Sequence, residues 1–150
     1  GVSSVYNNGV WTITQNKTAL PELDFDFSNC PDLAQTVAVT CAGLGVKGVF
    51  SGLESLQIKE TDRTAALQNE LKKYQVSFNE VNNTWVLEGK TTANGPVHIH
   101  TYEDHRMAMC FAPLSRLHPE MIIEEPMVVK KSYPSFWDDF SKLGFSVSMD

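Results

Sequence analysis

Short apolar runs, some of them alternating with polar residues, recur along the chain and predict β-strands. Val10-Trp11-Thr12-Ile13-Thr14 alternates between apolar and polar residues, which is typical of a strand with one buried face. The later runs are short, are bounded by turn residues and contain β-branched or aromatic side chains. They predict strands at residues 46–50, 76–78, 84–88, 96–100, 121–124 and 145–147.

Segments with helical spacing of apolar residues lie between these strands. Pro31 stands where a helix can begin, Asp32 falls in its first turn, and residues 33–44 continue the pattern until Gly43 and Gly45 end it. Further helices are predicted at residues 61–74, 105–117 and 135–143, whereas the acidic segment 24–28 is interpreted as a loop. Helices alternate with single and paired strands, and this order predicts an α+β (mixed α/β) fold.

Composition excludes some classes of function and leaves small anionic substrates open. The 150 residues suffice for one domain or part of a larger one, and no apolar run approaches the length of a membrane span. A net charge of −6 without a basic stripe argues against a nucleic-acid surface. The chain begins with Gly rather than Met and shows no signal peptide, which leaves open that the protein's own start lies upstream.

The cysteines predict a reducing compartment. Cys30, Cys41 and Cys110 are odd in number and lack Cys-x-x-Cys spacing, so free thiols in the cytoplasm are expected rather than a disulfide framework or a metal site.

A dense charged cluster, Lys59-Glu60-Thr61-Asp62-Arg63, precedes the second helix. At helical spacing Lys59 and Arg63 would share a face, and two cations in a first turn also oppose the helix dipole. One interpretation is a solvated helix start in which Glu60 and Asp62 neutralise the cations. The other is a binding site in which an anion lies between the cations.

A second cluster, Asp104-His105-Arg106, stands at the start of the third predicted helix. Asp104 is a plausible N-cap, and the cluster can be a surface arrangement. Alternatively, Arg106 offers a planar fork for a carboxylate or phosphate, with His105 beside it. Lys131, on a predicted loop, could bind a phosphate, or Lys130-Lys131 could serve solubility alone. Asp32 could stabilise its helix or accept a proton from a substrate hydroxyl.

Four motifs together resemble the C-terminal part of the 5-enolpyruvylshikimate-3-phosphate synthase family. They are Pro31-Asp32-Leu33-Ala34-Gln35-Thr36, Lys59-Glu60-Thr61-Asp62-Arg63, Asp104-His105-Arg106-Met107-Ala108-Met109 and Lys131-Ser132-Tyr133-Pro134-Ser135-Phe136, in family order. The resemblance implies repeated βαβαββ units and a place in the C-terminal domain of a two-domain enolpyruvyl transferase. It implies transfer of the enolpyruvyl group of phosphoenolpyruvate to the 5-hydroxyl of shikimate 3-phosphate, in a monomeric enzyme without metal or cofactor.

The resemblance also implies a role for each matched residue. Asp32 would accept a proton from the shikimate, and Glu60 would shuttle a proton at the methylene carbon of phosphoenolpyruvate. Lys59 would bind shikimate 3-phosphate. The phosphoenolpyruvate carboxylate would lie between Arg63 and Arg106, its phosphate would bind Lys131, and His105 would lie alongside.

The chain departs from the family pattern in two respects. Ser55 stands where many members have an Asn that contacts the shikimate phosphate, so its role as a ligand is open. The N-terminal motifs of the family are absent, so these residues are expected to form half of a site and to have little activity alone. Two alternatives are a sister enolpyruvyl transferase acting on a UDP-sugar and a stand-alone anion-binding module without enzyme activity.

Overall fold

The central part of the chain forms one βαβαββ unit. A computed structural model describes residues 1–15 and 20–149. The strands are β1 (Val2–Asn7), β2 (Val10–Gln15), β3 (Glu22–Asp26), β4 (Lys47–Ser51), β5 (Ser77–Val81), β6 (Thr84–Glu88), β7 (Val97–Ile99) and β8 (Met121–Ile123), and the α-helices are α1 (Ala34–Leu44), α2 (Arg63–Lys73), α3 (His105–Phe111) and α4 (Phe136–Lys142).

The unit contains β3, α1, β4, α2, β5 and β6. Its four strands form a mixed sheet in the order β3-β4-β6-β5, in which β3 and β4 are parallel and β6 is antiparallel to both of its neighbours. Parallel strands require a crossover connection, and α1 supplies it between β3 and β4. This arrangement confirms the predicted α+β fold with a βαβαββ unit.

Parts of neighbouring units flank this sheet. Strands β1 and β2 form an antiparallel hairpin before it, whereas β7 and β8 form a parallel pair joined through α3 after it. Short 3-10 helices lie between these elements, at Pro31–Leu33, Glu54–Ile58, Ala112–Arg116 and Pro126–Lys131.

The core lies between one face of the four-stranded sheet and the helices. Phe50, Phe78 and Leu87 are buried on this face of the sheet, and Leu67 and Leu71 of α2 belong to the same cluster. Burying each such side chain contributes about 1.5–3 kcal/mol. Helix α1 also packs against α3, so the starts of both helices are held close to the start of α2.

Most predicted elements are confirmed, with shifts of one to three residues at their ends. The predicted helix 105–117 is α-helical only as far as Phe111 and continues as a 3-10 turn, because Pro113 has no N–H to donate within a longer α-helix. Strand β1 had no counterpart among the sequence predictions. No helix among residues 1–15 and 20–149 has the length and apolar character needed to cross a membrane.

Two predictions were wrong about strands. Residues 24–28 were interpreted as a loop, but β3 extends through Asp26, because backbone pairing with β4 stabilises a strand whose own side chains are largely exposed. Residues 145–147 were predicted as a strand and are not paired. Instead the Phe145 ring stacks on that of Phe140, with centroids 4.0 Å apart.

The helical register proposed for the charged cluster was also wrong. Lys59 and Arg63 do not share a helical face, since Lys59 has extended backbone and α2 begins at Arg63. The reason is that Asp62 caps the helix: its carboxylate accepts a hydrogen bond from Ala65 N at 3.0 Å.

Candidate active site

The guanidinium of Arg63 is the centre of the candidate site. Arg63 is the first residue of α2, and only 3% of its side chain is exposed. Its Nε donates to Asp104 Oδ2 at 2.6 Å, Nη1 to Asp32 Oδ1 at 3.0 Å, and Nη2 to Glu60 Oε2 at 2.8 Å. The planar fork thereby joins the starts of three helical segments.

Asp32 lies between Arg63 and two further cations. Its carboxylate accepts a hydrogen bond from Arg106 Nη2 at 3.2 Å, and Arg106 Nη1 donates to the Asp32 carbonyl at 3.0 Å. The Lys59 ammonium lies 3.6 Å from Asp32 Oδ1. Arg63, Arg106 and Lys59 therefore converge on one carboxylate. Three cations gathered at one place could also bind the anionic group of a ligand.

Glu60 is also ionised in this arrangement. Its own backbone N–H is the largest influence and lowers the pKa of the Glu60 carboxyl. Burial raises that pKa, and the positive charges of Arg63, His105 and Lys59 lower it, so that the pKa lies below its ordinary value. The sequence left open which effect prevails at Glu60. In the structure, the effects that favour the charged form prevail.

The remaining predicted residues lie at differing distances from this centre. His105 Nδ1 is 3.8 Å from Asp104 Oδ1, so the ring is close to the cluster. Lys131 reaches its edge, where Nζ donates to the carbonyl of Glu103 at 3.0 Å. Ser55 is half-buried in the 3-10 helix Glu54–Ile58, and no hydrogen bond among the described residues joins it to Arg63 or Asp32.

Two of the three carboxylates that bind Arg63 are exposed enough for another carboxylate to take their place, whereas the third is buried. The Asp104 side chain is wholly buried, but 44% of the Asp32 side chain and 54% of the Glu60 side chain are exposed. An incoming carboxylate could replace Asp32 or Glu60 on the guanidinium without leaving Arg63 unpaired. The arrangement can therefore bind an anion and leave carboxylates beside it for proton transfer.

The role of Asp104 as the partner of Arg63 was missed from the sequence. Asp104 was predicted only as an N-cap, and it does accept a hydrogen bond from Arg106 N at 2.8 Å. The available signal was an acid directly before a helix that is rich in apolar residues. That signal does not reveal a partner 41 residues away in the sequence.

Comparison with known proteins gives the family. The model of the EPSP synthase family (3-phosphoshikimate 1-carboxyvinyltransferase) matches residues 4–140. The chain belongs to the EPSP synthase family. The residues of the candidate site, from Asp32 to Lys131, all lie within the matched segment.

Individual relatives agree with the family model. The 3-phosphoshikimate 1-carboxyvinyltransferase of Bacteroides fragilis (strain ATCC 25285) is 47% identical over 152 residues, covering 99% of this chain and 37% of the relative. That of Neisseria meningitidis serogroup C is 35% identical over 125 residues, covering 83% of this chain and 29% of the relative. The chain thus spans little more than a third of the length of the first of these EPSP synthase relatives.

A solved structure supports the fold. The EPSP synthase from Acinetobacter baumannii superposes with a TM-score of 0.65 and 23% sequence identity, over 79% of this chain and 28% of that one. This likeness supports the assignment of the βαβαββ unit to the enolpyruvate transferase fold.

Proposed function

We propose that this chain forms part of the C-terminal domain of a two-domain enzyme that transfers the enolpyruvyl group of phosphoenolpyruvate to the 5-hydroxyl of shikimate 3-phosphate, releasing phosphate. The observation that carries the proposal is the convergence of Arg63, Arg106 and Lys59 on the exchangeable carboxylate of Asp32. The relatives that share the sequence carry the name of this activity.

Phosphoenolpyruvate brings a carboxylate and a phosphate, and the cations match both. The carboxylate would replace Glu60 and Asp32 on Arg63 and would also bind Arg106, since planar forks bind carboxylates in two-point contact. The phosphate would bind Lys131, whose ammonium lies at the edge of the cluster. His105 would lie beside the substrate, and Lys59 would bind shikimate 3-phosphate. Ser55 is a further candidate for that phosphate.

Two carboxylates would move the protons. Asp32 would accept the proton of the attacking hydroxyl as its oxygen bonds to the enol carbon. Glu60 would give a proton to the methylene carbon and take one back when the carbon–oxygen bond to phosphate breaks. Its own backbone N–H lowers the pKa of the Glu60 carboxyl, and the neighbouring cations lower it further. A doubly anionic substrate on those cations would raise that pKa and so favour the protonated form.

The same proposal covers the compartment, the oligomeric state and the cofactors of the enzyme. The enzyme would act as a cytoplasmic monomer, without metal or organic cofactor and without nucleic acid as a partner. The free thiols of Cys30, Cys41 and Cys110 are compatible with a reducing compartment. Among the described residues, no group of His, Cys, Asp or Glu side chains is arranged to hold a metal ion.

Phosphate release tests the proposed reaction. The protein expressed from the complete open reading frame that encodes this chain should release phosphate only when both substrates are present. Arg63→Ala and Glu60→Ala should each lower kcat/KM by about 100-fold or more. Glu22→Gln, which alters an exposed ion pair with Lys47 at the starts of β3 and β4, should leave the rate unchanged. Full turnover in Glu60→Ala, or phosphate release without shikimate 3-phosphate, would refute the proposal.

A further inference from the structure

The turn formed by residues 100–104, called here the 100–104 turn, has an unfavourable backbone conformation. Tyr102 and Glu103 follow one another with φ angles of 54° and 56°, in the left-handed region that side chains other than Gly rarely adopt. Such residues persist where the surrounding structure holds them, and they concentrate at functional sites. The contacts of this turn therefore indicate what fixes its shape.

The 100–104 turn determines where the cations of the candidate site lie. It ends at Asp104, the buried partner of Arg63, and His105 and Arg106 follow directly in α3. A change in the turn would move Asp104, and with it the guanidinium of Arg63 and the start of α3. Among the described residues, its own backbone supplies one hydrogen bond, from Asp104 N to the Thr101 carbonyl at 2.9 Å, and Lys131 Nζ donates to the Glu103 carbonyl from outside the turn.

Glu70 of α2 supplies the contacts that the turn itself lacks. Only 1% of Glu70 is exposed, and it lies outside the cluster around Arg63. Its Oε2 accepts a hydrogen bond from His100 N at 3.1 Å, and its Oε1 accepts one from the Tyr102 hydroxyl at 2.9 Å. Lys73 Nζ donates to Oε2 at 2.6 Å and balances the charge of the carboxylate. One buried carboxylate thus binds both the backbone at the beginning of the turn and the side chain of its first left-handed residue.

Glu70 and Arg63 hold the turn from the same face of one helix. Seven residues separate them, which is close to two helical turns, so both side chains project to the same side of α2 about 10 Å apart along its axis. Arg63 binds the end of the turn through Asp104, and Glu70 binds its beginning. Helix α2 therefore holds both ends of the turn, with a carboxylate at one end and a guanidinium at the other.

We propose that Glu70 is a positioning residue for the phosphoenolpyruvate clamp: by holding His100 and Tyr102 it fixes the 100–104 turn, and with it Arg63 and Arg106. This inference rests on the proposed function. Glu70 does not touch the substrate, and it acts through the placement of Asp104 and the start of α3. It is distinct from Asp32 and Glu60, whose carboxylates lie on the guanidinium itself.

A carboxylate suits this position better than an amide. All three groups that point at Glu70 are donors: an ammonium, a backbone N–H and a hydroxyl. A carboxylate accepts from all three and carries the charge that pairs with Lys73. A glutamine keeps one acceptor oxygen for the ammonium and the backbone N–H, forces the Tyr102 hydroxyl to reverse its role, and removes the negative charge that strengthens these hydrogen bonds. Since the group is buried, water would not compensate for the weakened hydrogen bonds. Burial and the hydrogen bond to Glu70 also raise the pKa of Tyr102, as expected for a phenol that donates to a buried carboxylate.

The test compares the Michaelis constants of the two substrates in the enzyme expressed from the complete open reading frame. Glu70→Gln should raise KM for phosphoenolpyruvate about 10-fold while KM for shikimate 3-phosphate changes less than about 2-fold. Tyr102→Phe removes one of the contacts and should raise KM for phosphoenolpyruvate about 3-fold. Glu22→Gln, on the opposite edge of the sheet, is the matched control and should change neither constant.

The outcomes separate this inference from the proposed function. A parent enzyme that releases no phosphate from the two substrates refutes the proposed function and the role of Glu70 with it. A parent enzyme that is active, with Glu70→Gln altering neither KM or both equally, refutes only the positioning role. A lower melting temperature with unchanged constants would make Glu70 a purely structural residue. If Glu70→Gln does not fold, Tyr102→Phe decides: an unchanged KM for phosphoenolpyruvate refutes the inference.

Discussion

The starts of α2 and α3 look alike in sequence but differ in what their capping aspartates do. Asp62 precedes Arg63, and Asp104 is followed two positions later by Arg106. Asp62 is exposed and binds only its own helix start, through Ala65 N at 3.0 Å and the Thr64 hydroxyl at 2.7 Å. Asp104 is fully buried, caps α3 and also binds Arg63 of α2 at 2.6 Å.

The difference shows that burial decides the role of a helix cap. An exposed cap satisfies a backbone N–H that water could also satisfy, so its contribution is modest. A buried cap that is paired with a buried Arg compensates a charge that water cannot reach. Asp104 therefore links two helices and orients a cation of the candidate site, whereas Asp62 serves one helix.

The largest expected effect comes from truncating the buried cap. Asp104→Ala leaves the guanidinium of Arg63 without its buried partner and should lower the free energy of unfolding by about 3–5 kcal/mol. Urea unfolding followed by circular dichroism measures this. Asp104→Asn is the matched control because Asn caps helices as well as Asp does. This variant loses the charge and keeps the cap, so the difference in free energy of unfolding between the two variants measures the contribution of the cap. A loss below about 1 kcal/mol in Asp104→Ala would contradict the role given to burial.

The second-largest effect is expected from a substitution that removes the planar, forked shape of the Arg63 guanidinium and keeps its charge. Arg63→Lys keeps the positive charge but cannot place three nitrogens on Asp104, Asp32 and Glu60 at once. With the proposed reaction as the assay, kcat/KM should fall about 100-fold. Arg116→Lys, at an exposed position, should have no effect. Equal activity of the two variants would show that a point charge is enough at residue 63.

A smaller effect is expected at the exposed cap. Asp62→Ala should lower the free energy of unfolding by about 1 kcal/mol, and Asp62→Asn by close to nothing. Neither should alter KM for phosphoenolpyruvate, because the Asp62 side chain binds its own helix start and not Arg63. If Asp62→Ala were as damaging as Asp104→Ala, the contrast between the two caps would fail.

The smallest effect concerns the titration of Glu60. Its folded-state pKa is lowered below the ordinary 4.5 by its own backbone N–H and by the charges of Arg63, His105 and Lys59. Ionised Glu60 therefore stabilises the fold above its ordinary pKa, and this contribution is lost as the pH falls through the lowered value. Carbon-13 NMR of the Glu60 carboxyl should give a midpoint below 4.5. Lys59→Met should shift the midpoint upwards, and a downward shift would contradict the electrostatic account.

Much of the fold followed from local pattern, and the exceptions share a cause. The helix that follows Pro31 and the helix that ends before Tyr74 were predicted because the spacing of apolar residues, a start signal and an end signal agreed. Strand β3 was missed because backbone pairing with β4 stabilises it while its side chains remain exposed. The prediction that Lys59 and Arg63 share a helical face was wrong because Asp62 caps the helix, which therefore begins later than the spacing of the charges suggested.

The sequence by itself determined the family and most of the elements, and it predicted the residues of the candidate site, because these depend on local periodicity and on motifs that stay together along the chain. Only the tertiary structure decided which acid accompanies Arg63 and what holds the 100–104 turn. Both depend on the tertiary packing of α1 against α2 and α3 and on the side-chain contacts between the starts of α2 and α3, which join residues 41 apart in the case of Arg63 and Asp104. Burial then makes Asp104 a permanent partner and leaves Asp32 and Glu60 free to give way to a substrate.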